Sequence, residues 1–96
     1  MERGETRGGA GMSYRIEWVV SAEREFLRLP KAERRRIGER VEALAEKPRP
    51  AGCVKLSGVA NLWRIRVGDY RVIYAIHDAV EVLTITRVGH RRDVYR

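Results

Sequence analysis

Between Tyr14 and Val20 the side chains alternate between apolar and polar, with the aromatic and β-branched types that suit a strand. The period then lengthens. Ser21 is placed to cap a helix, and Glu23 and Glu25 fall in its first turn, near the positive end of its dipole. Ala22, Phe26 and Leu29 mark its apolar stripe. Pro30 interrupts the pattern, and residues 31–47 read as a second helix with Ile37, Val41, Leu44 and Ala45 on its buried side. Pro48 and Pro50 end it. Three more strands are predicted, over Leu62–Val67, Tyr70–His77 and Val80–Arg87. Gly68-Asp69 leaves two residues between the first pair, which suits a tight hairpin, and Asp78-Ala79 reads as the equivalent turn for the next. Strand, helix, helix, then a three-stranded meander predicts an α+β fold. Short connections make the meander antiparallel, with the helices packed on one face of the sheet.

Residues 1–11, MERGETRGGAG, hold four of the nine glycines and are expected to form a disordered tail, leaving residues 12–96 as the folded domain. A chain of 96 residues suits one domain, and 44% hydrophobic content supports one modest core. No apolar run approaches the roughly 18 residues of a membrane span. No charged-then-apolar leader opens the chain, and the single cysteine, Cys53, has no internal partner, so a reducing cytoplasm is the expected compartment.

Charge changes the picture more than composition does. The formal net charge is +7 and the pI near 10.3, which points to a polyanion such as nucleic acid, or to an acidic protein. Codon bias toward arginine would produce the same excess without a partner. Of the 20 basic residues 17 are Arg, whose planar fork matches phosphate oxygens. Residues 1–47 carry 11 basic and 9 acidic side chains, a net of +2, and residues 48–96 carry 9 and 4, a net of +5. An anion is therefore expected in the second half. The run Arg34-Arg35-Arg36 reads as a solvated helix face, because acidic neighbours three and four residues away can pair with it.

Along Leu62–Val67 the side chains alternate across the sheet, with Trp63, Ile65 and Val67 under the helices and Leu62, Arg64 and Arg66 on the other face. With Gly68-Asp69 as a two-residue turn, Arg66 faces Arg71, and Arg64 lies two residues away on the same face. Cations directly opposite one another destabilise a strand pair, so an anion that relieves them is a natural inference. Splayed, screened arginines are the bland alternative, and a one-residue slip in register would separate Arg71 from the others. The terminal run Arg87-Val88-Gly89-His90-Arg91-Arg92-Asp93-Val94-Tyr95-Arg96 is the second concentration. His90 could transfer a proton near neutral pH or be an ordinary surface histidine. Arg91 and Arg92 could bind phosphate or keep a tail soluble. Tyr95 could donate a hydrogen bond, stack on a base or pack on the sheet. No Ser-His-Asp set, P-loop, dinucleotide fingerprint or metal-ligand spacing is present, so no cofactor or metal is expected. Nuclease chemistry here would be metal-independent. For RNA that means attack by the substrate's own 2′-hydroxyl on the adjacent phosphate.

The blocks Val54-Lys55-Leu56-Ser57-Gly58, Leu62-Trp63-Arg64-Ile65-Arg66, Gly68-Asp69-Tyr70-Arg71-Val72-Ile73-Tyr74 and Val88-Gly89-His90-Arg91-Arg92-Asp93-Val94-Tyr95 together resemble the RelE toxins of the RelE/ParE superfamily. The resemblance runs from about Tyr14 to the end and implies a RelE-like fold. It also implies a type II toxin–antitoxin toxin that cuts mRNA in the ribosomal A site by 2′-hydroxyl attack, leaving a 2′,3′-cyclic phosphate and a 5′-hydroxyl. That resemblance puts family positions on Arg64, Arg66, Arg71, Arg91, Tyr95 and Lys55; with His90, which stands where some relatives have lysine, and Arg92 of the terminal run, the expected catalytic residues are Arg64, Arg71, His90, Arg91 and Tyr95, and the expected RNA-binding residues are Lys55, Arg66 and Arg92. Cleaving relatives carry lysine where Arg64 and Arg66 stand. A guanidinium is a poor proton shuttle, so these two are expected to bind and neutralise, with His90 as the general acid. The partners implied are an antitoxin presenting an acidic or amphipathic segment, in a hetero-oligomer, and the ribosome with its mRNA or rRNA. No membrane is implied. The alternatives are a ParE-like inhibitor of DNA gyrase and a non-catalytic binding module of the same fold.

Overall fold

The computed structural model describes residues 13–93, so the glycine-rich N-terminal segment and Tyr95 lie outside the described residues. The elements are β1 (Arg15–Trp18), α1 (Val20–Leu27), α2 (Lys31–Ala43), β2 (Val54–Lys55), β3 (Leu62–Val67), β4 (Tyr70–His77) and β5 (Val82–His90). The five strands form one sheet in the order β1-β5-β4-β3-β2. The strands β2 to β5 pair antiparallel. β1 lies parallel to β5, with Arg15 opposite Val82 and Trp18 opposite Ile85. Parallel strands cannot be joined by a tight turn, and here the helices and the meander intervene.

Alternation along each strand sorts the side chains onto two faces. One face carries Ile65 and Val67 of β3, Val72, Tyr74 and Ile76 of β4, and Leu83, Ile85 and Val88 of β5. The helices cover it with Ala22, Ile37, Val41 and Leu44, and Trp18 meets Phe26 at 5.0 Å between ring centroids. Each fully buried aliphatic side chain contributes roughly 1.5–3 kcal/mol by leaving water. Tyr74 is the largest of the fully buried side chains, and its hydroxyl donates to the Pro48 carbonyl at 2.8 Å. That bond ties the connection after α2 to the middle of the sheet. Burial raises the Tyr74 phenol above the ordinary tyrosine range, and Cys53 adds to the rise.

The expected α+β arrangement is observed, with β3 and β4 at the predicted residues. Several details differ. The N-cap of α1 is Val19, with no side-chain cap, and Ser21 stands inside the helix. β1 stops at Trp18 because the Val19 amide makes the last bond to the sheet, donating to Ile85 at 3.0 Å, and the chain turns off at once. Only Glu23 is in the first turn of α1; Glu25 is a turn further on. α2 ends at Ala43, where the Ala45 carbonyl accepts from the Tyr14 amide at 2.7 Å instead of continuing the helix. Asp78-Ala79 is not a two-residue turn. The chain needs four residues there, with Glu81 at φ +57°, and β5 starts two residues later and runs on to His90. β2 was not anticipated as a strand: it is two exposed residues at the sheet edge, too short for any period to show. No helix among the described residues is long and apolar enough to cross a membrane.

Candidate active site

The β3–β4 hairpin places three arginines on the sheet face turned away from the helices. Gly68 adopts φ +62°, the left-handed geometry a two-residue hairpin turn asks of glycine. The register follows: Val67 stands opposite Tyr70, Arg66 opposite Arg71, and Arg64 opposite Ile73. Arg71 is 9% exposed. Its Nη1 donates to the Tyr70 carbonyl at 3.4 Å, and among the described residues its Nε has no hydrogen-bond partner. Among the described residues no carboxylate pairs with Arg66 or Arg71. A buried guanidinium without a counterion, facing a second one across the ladder, is costly in the free protein. An anion supplies what both lack: charge neutralisation and an acceptor for the Nε–H.

The end of β5 borders this face. Gly89 lies opposite Arg71 and presents no side chain beside it. Beyond β5 the Arg91 amide donates to the Asp69 carbonyl at 2.8 Å, which holds the chain alongside the hairpin turn. The Asp93 amide donates to the His90 carbonyl at 2.8 Å, and the Arg92 amide donates to His90 Nδ1 at 3.2 Å. Arg91 and Arg92 are thus carried next to the turn that presents Arg66 and Arg71.

Two expected site residues fall elsewhere. His90 stands opposite Tyr70, on the helix side of the sheet, with the two rings edge to face at 5.7 Å. Lys55 stands opposite Trp63, also on that side, with its Nζ 6.0 Å from the indole centroid. Arg49 shares the same indole at 5.0 Å. The structure therefore gathers Arg64, Arg66 and Arg71 on one face, brings Arg91 and Arg92 to its border, and leaves Lys55 and His90 on the opposite face. Tyr95 lies outside the described residues.

Sequence reading missed the group that holds the end of β5. Glu25 Oε1 accepts from the Val88 amide at 2.8 Å, and Glu25 Oε2 pairs with Arg87 Nε at 3.0 Å. A signal was present: Ala22, Glu25, Phe26 and Leu29 follow the spacing of an inward helical stripe, and Glu25 is its one charged member. Of the α2 arginines, Arg35 and Arg36 do pair with Glu39 and Glu33 as expected. Arg34 instead donates to the Leu27 and Leu29 carbonyls at 3.3 and 3.2 Å, satisfying the end of α1.

A family model of the ParE toxin of the type II toxin–antitoxin system, parDE, matches residues 16–95. This chain belongs to the RelE/ParE family of type II toxin–antitoxin toxins. The curated relative Toxin RelG of Mycobacterium tuberculosis is 32% identical over 89 residues, spanning 88% of this chain and 99% of the relative. Among solved structures, RelE in the archaeal RelE–RelB complex of Pyrococcus horikoshii is 33% identical, with a TM-score of 0.75 over 85% of this chain and 99% of that one. The isolated E. coli RelE toxin is 25% identical, with a TM-score of 0.74 over 86% and 92% of the two chains. The arginine face thus sits on a RelE fold matched along almost its whole length.

Proposed function

We propose that this RelE-family toxin is a ribosome-dependent mRNA endoribonuclease whose phosphate site is the Arg64, Arg66 and Arg71 face. The observation that carries the reading is Arg71, buried at 9% exposure with a free Nε donor opposite a second arginine. In the reaction the substrate's 2′-oxygen forms a bond to the neighbouring phosphorus as the bond from phosphorus to the 5′-oxygen breaks. The 2′-proton leaves to a base, the 5′-oxygen takes up a proton, and the products are a 2′,3′-cyclic phosphate and a 5′-hydroxyl. Arg71, Arg66 and Arg64 neutralise the charge that grows on the phosphoryl oxygens. Arg91 and Arg92 hold the flanking backbone, and Tyr95 is assigned to the 2′-hydroxyl. His90 sits with Tyr70 on the other face and accepts the Arg92 amide. It is therefore assigned to positioning the terminal turn instead of to proton transfer.

The Pyrococcus horikoshii relative was solved with RelB, and on that precedent we assign this chain an antitoxin partner that masks the basic face. The test is purified toxin added to ribosomes programmed with mRNA, with the cut ends mapped. Cleavage only on ribosomes, with cyclic phosphate ends, is expected. Intact mRNA under conditions that stop translation would reject the nuclease reading. A parallel supercoiling assay identifies the alternative, a ParE-like inhibitor of DNA gyrase. Binding of RNA or antitoxin with no product in either assay would leave a non-catalytic module.

A further inference from the structure

We propose that Glu25 and Arg87 form a clasp from α1 that positions the terminal turn of residues 91–93 beside the arginine face. This assignment rests on the nuclease reading for its catalytic consequence, but not for its structural one. β1 is shorter than β5. Its last paired residue, Trp18, faces Ile85, and the Val19 amide makes the final bond to the Ile85 carbonyl at 3.0 Å. β5 continues to His90, so among the described residues its outer edge past Ile85 has no strand neighbour. A buried edge amide without an acceptor is costly. Glu25 fills that place: one carboxylate oxygen accepts the Val88 amide at 2.8 Å, and the other accepts Arg87 Nε at 3.0 Å.

The chain of contacts extends beyond the strand. Arg87 is held by Glu25 through Nε, and its Nη2 donates to the Asp93 carbonyl at 3.4 Å. The register of β5 slips at this point, with Ile73 opposite Arg87 and Tyr74 opposite Ile85. Thr86 is the residue left over, and its hydroxyl donates to the Ile73 carbonyl at 3.1 Å. Such a bulge frees a strand to bend and twist, so pairing with β4 alone leaves the direction of the last residues weakly set. Glu25 supplies the missing constraint from the outer side. Two residues past Arg87 is Gly89, opposite Arg71, and two further is Arg91, bonded to the Asp69 carbonyl. The carboxylate on α1 therefore acts on the placement of Arg91 and Arg92 through Arg87, without being placed at the phosphate. Glu25 is a positioning residue.

The test pairs ribosomal mRNA cleavage with amide NMR spectra of the free toxin, for Glu25→Ala, Glu25→Gln, Arg87→Ala and the double variant Glu25→Ala/Arg87→Ala. Displacement of aligned groups by about 1 Å costs on the order of 100-fold in rate, so Glu25→Ala and Arg87→Ala should each lower kcat by about 10- to 100-fold with KM for programmed ribosomes nearly unchanged. The double variant should lose no more than the worse single one. Glu25→Gln, which keeps an acceptor for the Val88 amide, should recover part of the loss. In the spectra, Glu25→Ala should shift the Val88 amide and also those of residues 91–93. Shifts confined to Val88 and its neighbours in β5 would overturn the clasp whatever the activity. Full cleavage by a folded Glu25→Ala variant with a displaced Val88 amide would overturn its catalytic consequence. A wild-type protein that cuts nothing would reject the nuclease reading, while the amide shifts of residues 91–93 still decide the clasp.

Discussion

Two arginine triplets in this protein share a side chain and differ in everything around it. On α2, Arg34 donates to the Leu27 and Leu29 carbonyls, Arg35 pairs with Glu39 at 3.9 Å and Arg36 pairs with Glu33. On the β3–β4 hairpin, Arg66 faces Arg71, Arg64 lies beside them on the same face, and Arg71 keeps a buried Nε without a partner. The first triplet is consecutive in sequence, and the helix fans it out toward acceptors of its own chain. The second is scattered through eight residues, and the sheet gathers it. A cluster of charge in sequence says little about a cluster in space. On the proposed reading an arginine serves binding where, as at Arg66 and Arg71, the described residues give it no carboxylate, not where the sequence repeats it.

The comparison is broken most directly at Arg71. Truncating Arg71 to Ala should lower ribosomal mRNA cleavage by about 100-fold or more, the scale of losing one preorganised donor to a developing oxyanion. Unchanged cleavage would remove the functional half of the contrast. Arg66→Gln should lower cleavage by about 10-fold and at the same time raise stability by about 0.5 kcal/mol, because it relieves a like-charge pair across the ladder. Chemical denaturation reads the second effect, and a loss of stability there would mean that the two guanidinium groups do not burden the free protein.

The helix triplet should behave the opposite way. Arg34→Ala should cost about 1 kcal/mol through the lost carbonyl bonds at the end of α1, with cleavage at the wild-type rate. Arg35→Ala, at an exposed pair 3.9 Å apart, should change stability by less than about 0.5 kcal/mol. A cleavage defect in either variant would bring α2 into the site.

A paired arginine outside both triplets gives the smallest and most specific effect. Arg49 Nη2 donates to Asp78 Oδ2 at 2.8 Å, and the Tyr14 hydroxyl donates to Oδ1 of the same carboxylate. Arg49 first and Tyr14 second hold the Asp78 carboxyl below the usual aspartate range. A depressed folded-state pKa stabilises the fold above the unfolded-state value, and this contribution is lost as pH falls through the folded-state value. The thermal midpoint of the wild type should therefore fall more steeply on acidification than that of Asp78→Asn. Parallel acid limbs for the two proteins would show that the pair is screened out.

Much of this was legible along the chain. The hairpin of β3 and β4 was readable to the residue, because Gly68-Asp69 interrupts a period of two that resumes at Tyr70 with the same faces. The arginine face followed from the same arithmetic, since a two-residue turn sets the partner of every residue on both sides. The terminal block of Arg91 and Arg92 is recognisable as a second concentration of charge, but its place at the border of the arginine face comes from the structure. Less was legible where the deciding contact is distant. β2 is a strand only because Val54 and Lys55 meet Arg64 and Trp63. His90 reads as a site residue because it belongs to the same terminal run as Arg91, whereas alternation along β5 turns it to Tyr70.

The sequence by itself determined the elements whose cause is local: the period of each strand, the apolar stripe of α2, the proline that separates the helices and the glycine that closes the hairpin. These depend on backbone sterics and on side chains within a few residues. Only the tertiary structure decided that β1 lies parallel to β5 and stops short of its end, that Glu25 occupies the edge left open, and that Lys55 and His90 face away from the arginines. Such facts join residues more than sixty positions apart in the case of Glu25 and Val88. The energies involved, an edge amide needing an acceptor or a guanidinium denied one, exist only once the sheet has assembled.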